Sequence, residues 1–304
     1  MSKILITGAV GHIGSALLKE LLKLSGKIII IDSFKNNNYQ IFFNTRNKFQ
    51  IIDEDLMSFN LNKLKDIKTI IHLAAETNAS DQQKFKSKFY LNYNFNLTKK
   101  IVDFSKKNKS RLIYISSTSV YGSQKNRVDE NTRLKDLNPE SLYAKQKIRE
   151  EKYIKRYVKN YIILRFGTIF GFSKGIRFHT AINKFVWQSY VKKPITIWKS
   201  NINLPRPYLS LIDGVRFIKL LLKRKDIKCE TFNLVTKNYT LNQIITILKR
   251  YNKKLKVKLV SPPILNQTSY FVDNKKSLDL KFKYIGNLDR EIKKIFSKIL
   301  ILNG

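Results

Sequence analysis

Tyr143 and Lys147 stand four residues apart in the run Tyr143-Ala144-Lys145-Gln146-Lys147. On a helix that spacing puts both side chains on one face. A free tyrosine titrates at about 10, too high for proton transfer near neutrality. A nearby ammonium favours the phenolate and can lower that value by roughly one to three units. Such a pair could carry a proton to and from a hydroxyl. In a chain with 59 Lys and Arg the spacing arises easily by itself, so its weight depends on its company. That company is a run of hydroxyls: Ser116, Ser117, Thr118 and Ser119 follow the apolar stretch 112–115, at the carboxyl end of an expected strand.

A second group of residues could hold a phosphate. Gly8, Gly11 and Gly14 recur every third position in Thr7-Gly8-Ala9-Val10-Gly11-His12-Ile13-Gly14. The run follows the first expected strand and opens the first expected helix. Glycine there permits positive φ in a tight turn, close approach to a pyrophosphate and close strand–helix packing. The helix amino terminus adds N–H donors for the anion. The spacing differs from the GxGxxG dehydrogenase pattern. Asp32 ends the second expected strand, roughly 20 residues on, where a carboxylate can accept both adenosine ribose hydroxyls. It would repel a 2′-phosphate, so NAD is expected rather than NADP.

The elements that must position these groups alternate. Short β-branched runs at 4–7, 27–31, 49–52, 69–73, 112–115 and 161–164 read as buried strands. Amphipathic stretches at 13–24, about 89–107 and 143–158 read as helices between them. A further helix is expected at 213–222 and a strand at 231–235. This pattern predicts an α/β fold, a Rossmann-type doubly wound parallel sheet. Stretches 172–206 and 240–304 hold shorter elements punctuated by Pro194, Pro205, Pro207, Pro262 and Pro263. They read as a smaller mixed α/β substrate-binding lobe over the strand ends. The expected division is 1–172 plus 208–236 for the cofactor domain and 173–207 plus 237–304 for the lobe.

Composition narrows the class. The chain has 304 residues and one cysteine, Cys229, so it cannot use an internal disulfide and suits a reducing compartment. The first strand starts almost at Met1, and no apolar run reaches the ~20 residues of a membrane span, so a cytoplasmic location is expected. The charge of +37 comes mainly from lysines spread along the whole chain. Nucleic-acid sites concentrate arginine and stacking aromatics in one place, so nucleic acid is not the expected partner. His12 and His179 lack metal-ligand company, and no metal is expected.

With these motifs in this order, the chain resembles the extended short-chain dehydrogenase/reductase superfamily. The likeness is to its NAD-dependent sugar-nucleotide epimerases and dehydratases, such as UDP-glucose/galactose 4-epimerases, and is strongest over 1–171. The resemblance implies that Gly8, Gly11, His12, Ile13 and Gly14 form the TGxxGxxG cofactor loop, with Asp32 the ribose acceptor. It implies that Asp55 and Leu56 embrace the adenine and that His72-Leu73-Ala74-Ala75 lines the cofactor. Asn94 matches the helix asparagine that supports the site. Ser117, Tyr143 and Lys147 match the catalytic set, and Lys147 would also hold the nicotinamide ribose. Pairing of two subunits through two helices is usual in this family, so a homodimer is implied.

On the substrate side, Thr168 stands where the family often has asparagine. Asn183 and Arg206 fall where diphosphate contacts usually lie, and arginine's fork suits phosphate oxygens. A second phosphate arginine is usual before the segment resembling Tyr270-Phe271-Val272-Asp273, and none occurs between 261 and 272. Lys275, Lys276 or Arg177 then takes its place, or the substrate is not a standard nucleoside diphosphate sugar. Related dehydratases carry Asp and Glu after the catalytic Ser/Thr. Here Thr118 and Ser119 follow Ser117, so elimination lacks its proton carriers and a 4-epimerase passing through a 4-keto sugar is implied. The alternatives are a nucleotide-sugar reductase or dehydrogenase, and a cofactor-sensing or RNA-binding relative supported only by charge.

Overall fold

The run of four isoleucines at 28–31 has no polar face, so it needs cover on both sides. The computed structural model describes residues 3–22, 26–35, 37–43, 48–76, 84–261 and 270–301. In it this run becomes β2 (Ile28–Asp32), flanked in parallel by β1 (Lys3–Thr7) and β3 (Phe49–Asp53). β1 also pairs with β4 (Ile67–His72), and the sheet continues in parallel through β5 (Arg111–Ser117), β6 (Tyr161–Phe166) and β10 (Glu230–Leu234). Alternate side chains enter opposite cores. Leu5, Ile29 and Ile31 pack beneath α2 (Lys84–Asn108) and α3 (Leu142–Tyr157), against Ile101 and Ile154. Ile6, Ile28 and Ile30 pack beneath α1 (His12–Leu21) and α5 (Leu211–Lys223), against Leu17 and Phe217. Each such side chain contributes roughly 1.5–3 kcal/mol when buried. The order of strands reverses between β1 and β4, which opens a crevice at their carboxyl ends.

Several boundaries differ from the periodicity reading. α3 begins at Leu142, because Ser141 Oγ accepts from Ala144 N at 3.1 Å and caps the helix. Leu142 is half exposed, so it adds nothing to the apolar period. α2 starts well before the expected 89, and α1 ends at Leu21 rather than 24. β4 runs from Ile67 to His72 and so releases Leu73 into the crevice.

Past β6 the chain forms smaller units. β7 (Thr168–Phe170), β9 (Arg206–Ser210) and β11 (Lys237–Tyr239) make one small sheet, and β8 (Ile195–Trp198) pairs in parallel with β12 (Val257–Val260). Helices α4 (Ala181–Tyr190), α6 (Leu241–Tyr251) and α8 (Leu288–Ile301) bury Ile182, Val186, Ile244, Leu248, Ile292 and Ile295 together. The short α7 (Lys275–Asp279) packs on β10. Asp213, at the start of α5, accepts from Ile285 N and Gly286 N and from Thr236 Oγ1, which ties these segments to the large sheet. No helix among the described residues is long and apolar enough to cross a membrane.

Candidate active site

The crevice between β1 and β4 is a cleft of about 820 Å³. At its floor the chain turns at Gly8 with φ +69°, and an added β-carbon would stand 2.5 Å from Ala74 N. At Gly14 it would stand 2.4 Å from Ala9 O. Gly11 is different. A β-carbon there would meet only Gly8 O at 3.4 Å and Arg177 Nη2 at 4.0 Å. Packing does not require glycine at 11, so its bare backbone leaves room for a group from outside the chain. Gly11 also opens α1 with no side-chain cap and no acid in the first turn, which leaves amide donors for an anion. This cradle fits a dinucleotide pyrophosphate.

Asp32 closes β2 and lines the same cleft, with Oδ2 accepting from Val10 N and Oδ1 from Phe34 N, both at 3.0 Å. Burial raises its pKa, against the pull of those two amides and of Arg177. Asp55 accepts Tyr93 OH on both oxygens, at 2.8 and 2.7 Å, and Lys35 Nζ lies 3.3 Å away. Leu56, Leu73, Ala74 and Ala75 line the wall beside them, as do His12 and Ile13. Asn94 lies behind the wall. Its amide brackets the Glu76 backbone, accepting from N and donating to O at 2.8 Å each, and so holds the exit of β4.

The proton-handling groups meet the cleft from β5 and α3. Ser117 ends β5 and caps the turn 118–121, its Oγ accepting from Ser119 N at 3.1 Å. Ser119 Oγ is buried without a hydrogen-bond partner among the described residues, and it lines the cleft with Ser117 and Tyr143. Lys147 lies underneath, its Nζ 5.7 Å from the Tyr143 ring centre. It donates to Tyr114 OH at 2.7 Å and Ile115 O at 3.2 Å, and lies 3.2 Å from Glu150 Oε2. The expectation of a lowered Tyr143 pKa is corrected here. Burial, with Glu150 adding to it, holds the phenol above its ordinary value, and Lys147 offsets only part of this.

Two adjacent glutamates brace this floor. Glu151 accepts both arms of Arg165, at 3.0 and 2.7 Å, and Ser116 Oγ at 2.6 Å. Glu150 accepts Tyr114 OH on Oε2 and Thr98 Oγ1 on Oε1, the latter at 3.2 Å. His72 continues that line, with Nε2 3.5 Å from Thr98 Oγ1 and Nδ1 2.7 Å from Thr7 Oγ1. Burial, reinforced by Lys147, pushes the His72 pKa down to about 3, so the ring is neutral. His12 is likewise pushed to about 3, mainly by burial. Periodicity passed over Glu150, although a charged residue at core-facing spacing between Lys147 and Ile154 is a visible signal.

The opposite wall comes from less regular chain. Thr168 lines it. Between β7 and α4 a strap crosses the glycine loop. His12 Nδ1 donates to Ser173 Oγ at 2.8 Å, Ser173 Oγ donates to His12 O at 3.0 Å, and Gly175 N donates to Ser15 Oγ at 3.1 Å. The strap brings Arg177, His179 and Thr180 to the cleft, and Tyr270 joins them from a distant segment. Of the three candidates for the missing phosphate arginine, Lys275 pairs with Asp279 and Lys276 with Glu230, whereas Arg177 lines the cleft. Asn183 is fully buried and does not line it: its amide accepts from Gly171 N and donates to Arg177 O, both at 3.2 Å. Arg206 begins β9 outside the lining, where its charge acts on Tyr208 and Tyr270. Among the described residues no group of three or more His, Cys, Asp or Glu could hold a metal ion.

The model of the NAD dependent epimerase/dehydratase family matches residues 4–234. An uncharacterized UDP-glucose epimerase of Bacillus subtilis is 29% identical over 247 residues, 76% of each chain. The ADP-L-glycero-D-manno-heptose-6-epimerase of Brachyspira hyodysenteriae is 27% identical over 277 residues, 86% of this chain and 84% of its own. The crystal structure of a Bacillus cereus UDP-glucuronic acid 4-epimerase, in complex with UDP-glucuronic acid and NAD, superposes with a TM-score of 0.86 at 27% identity, covering 99% of both chains.

Proposed function

The chain belongs to the NAD dependent epimerase/dehydratase family, and from that premise we propose that it inverts C4 of a nucleotide sugar through a transient 4-keto sugar. One observation carries this reading. Ser117, Ser119 and Tyr143 line one cleft with the glycine loop, and hydroxyls rather than carboxylates follow Ser117. Hydroxyls can hold a sugar oxygen but cannot act as the acid and base that loss of water requires.

Gly8, Gly11, Gly14 and the amides of His12 and Ile13 would hold the NAD pyrophosphate, with Asp32 at the adenosine ribose and Asp55 and Leu56 at the adenine. Bound there, NAD would supply the acceptor and then the donor of the C4 hydride, with return to the opposite face of the sugar. Tyr143, as phenolate, takes the proton from the sugar O4 and later gives it back. Ser117 and Ser119 donate hydrogen bonds to the same region of the sugar and fix O4 against Tyr143. Lys147, from below, offsets part of the burial that disfavours the phenolate. On the far wall, Thr168 would meet the sugar ring and Arg177 the diphosphate. Asn183 shapes the strap that carries Arg177. Residues 1–172 with 208–236 would serve the cofactor, and 173–207 with 237–304 the substrate.

The test is product analysis by NMR, with purified protein and a panel of UDP-, GDP- and dTDP-sugars, without added cofactor and alongside Tyr143→Phe. A C4-inverted product from the wild type alone is expected. Turnover that appears only with supplied NAD(H) or NADP(H) would replace this reading with a reductase or dehydrogenase.

A further inference from the structure

Glu150 is 1% exposed and takes no direct part in the chemistry proposed above, yet it is the common acceptor of the network under Tyr143. Three donors reach it. Thr98 Oγ1 donates to Oε1, and behind it stand His72 Nε2, 3.5 Å from Thr98 Oγ1, and Thr7 Oγ1, 2.7 Å from His72 Nδ1. From the other side Tyr114 OH donates to Oε2, and Lys147 Nζ lies 3.2 Å from that oxygen. Its two oxygens thus gather contacts from a threonine hydroxyl, a phenol and an ammonium.

The arrangement changes what Lys147 does. A lone buried ammonium would act on Tyr143 at full strength. Here Tyr114 and Glu150 draw its Nζ into contacts at 2.7 and 3.2 Å, while the Tyr143 ring centre stays 5.7 Å away. We infer that Glu150 is a positioning residue: by anchoring Lys147 through Tyr114 and offsetting its charge, it sets the pH at which Tyr143 exchanges its proton. The neighbouring Glu151 is spent on Arg165 and Ser116 and cannot replace it. His72 from β4 and Tyr114 from β5 are the other titratable groups packed on the network. Arg177, His179 and Tyr270 line the cleft that Tyr143 faces. The effect on catalysis rests on the proposed role of Tyr143; the effect on its ionisation does not.

The experiment titrates Tyr143 itself in the purified protein with whatever cofactor it retains. Tyrosinate absorbance is followed against pH and corrected by the matching Tyr143→Phe protein, because the chain holds 15 tyrosines. In Glu150→Gln the midpoint should fall by about one unit or more, as expected when a like charge beside the phenol is removed. The acid limb of the kcat profile should move with it. Glu150→Asp keeps the charge and should hold the midpoint nearer to wild type than Gln does. An unchanged midpoint in folded Glu150→Gln overturns the inference. If that variant does not fold, Tyr114→Phe decides: a smaller fall is expected because Lys147 loses its anchor, and no change overturns it. A midpoint that moves in a protein with no epimerase activity would sink the functional reading and leave the role of Glu150 standing.

Discussion

The two walls of the cleft are built by different means. The sheet-side wall uses regular elements: a glycine turn after β1, a carboxylate at the end of β2, the exit of β4, and the first turns of α3. Its polar groups are held by short contacts, such as Asp32 on Val10 N and Phe34 N, or Lys147 on Tyr114. The opposite wall is assembled from the strap at 173–180, from Thr168 and from Tyr270, which are far apart in the chain. Chemistry common to a family can be kept on the first wall while the second varies with the substrate. Variants of the first wall should therefore change the rate or the cofactor, and those of the second should change substrate affinity.

The largest expected effect is at Tyr143. Tyr143→Phe should lower kcat by roughly 100- to 10,000-fold, the usual contribution of a positioned acid–base group. Retained NAD and melting temperature should hardly change, because Lys147 is anchored on Tyr114 and Glu150 rather than on the Tyr143 hydroxyl. Cofactor content, a melting curve and product NMR on the same sample check all three. Loss of NAD together with activity would mean that the wall does not hold chemistry and cofactor separately.

Acid should act on the sheet-side wall through two buried imidazoles. His12 and His72 have folded-state pKa values pushed down, chiefly by burial, from 6.5 to about 3. The unfolded chain therefore binds more protons between those limits. Stability is complete above 6.5 and is lost as pH falls, by about 1.36 kcal/mol per pH unit for each ring. Urea midpoints between neutral pH and about pH 4.5 should show a slope shallower by roughly that amount in His72→Asn. An equal slope in variant and wild type would show that the ring is not held neutral.

The same contrast explains what could be read from the sequence. Gly8, Asp32 and Tyr143 are legible because each depends on a local motif, a strand end or a helix turn, whose period or spacing is written in adjacent residues. Asn183 and Arg206 were placed by likeness to a family pattern, and both lie off the cleft lining, Asn183 with its amide spent on backbone. Tyr270 reaches the cleft only through tertiary packing, which no local spacing encodes. Glu150 stands between these cases. Its place on the inner face of α3 follows from helical period, but its partners Thr98, Tyr114 and His72 come from three other elements.

A smaller effect should separate two glycines of one loop. Gly8→Ala faces positive φ and a clash at 2.5 Å with Ala74 N, and should cost about 1–3 kcal/mol of stability without cofactor. Gly11→Ala meets nothing of the protein closer than 3.4 Å. It should leave the melting temperature of the cofactor-free protein nearly unchanged and weaken NAD binding. Melting curves and NAD titration of both variants distinguish space reserved for the fold from space reserved for a ligand.

The smallest effect is expected across the cleft, at Arg177. Its guanidinium lies near the glycine loop, with Nη2 4.0 Å from where a Gly11 β-carbon would stand, and its charge reaches Asp32, His12 and His179. That position borders both ligands, so the two walls compete for it. If it belongs to the substrate wall, Arg177→Gln should raise KM for the sugar nucleotide about tenfold, the loss of one phosphate contact of roughly 1.4 kcal/mol, with kcat little changed. Retained NAD should be the same as in wild type. If NAD retention falls instead and KM holds, the strap is part of the cofactor wall. The boundary between the walls would then run along Thr168 and Tyr270 rather than along the strap.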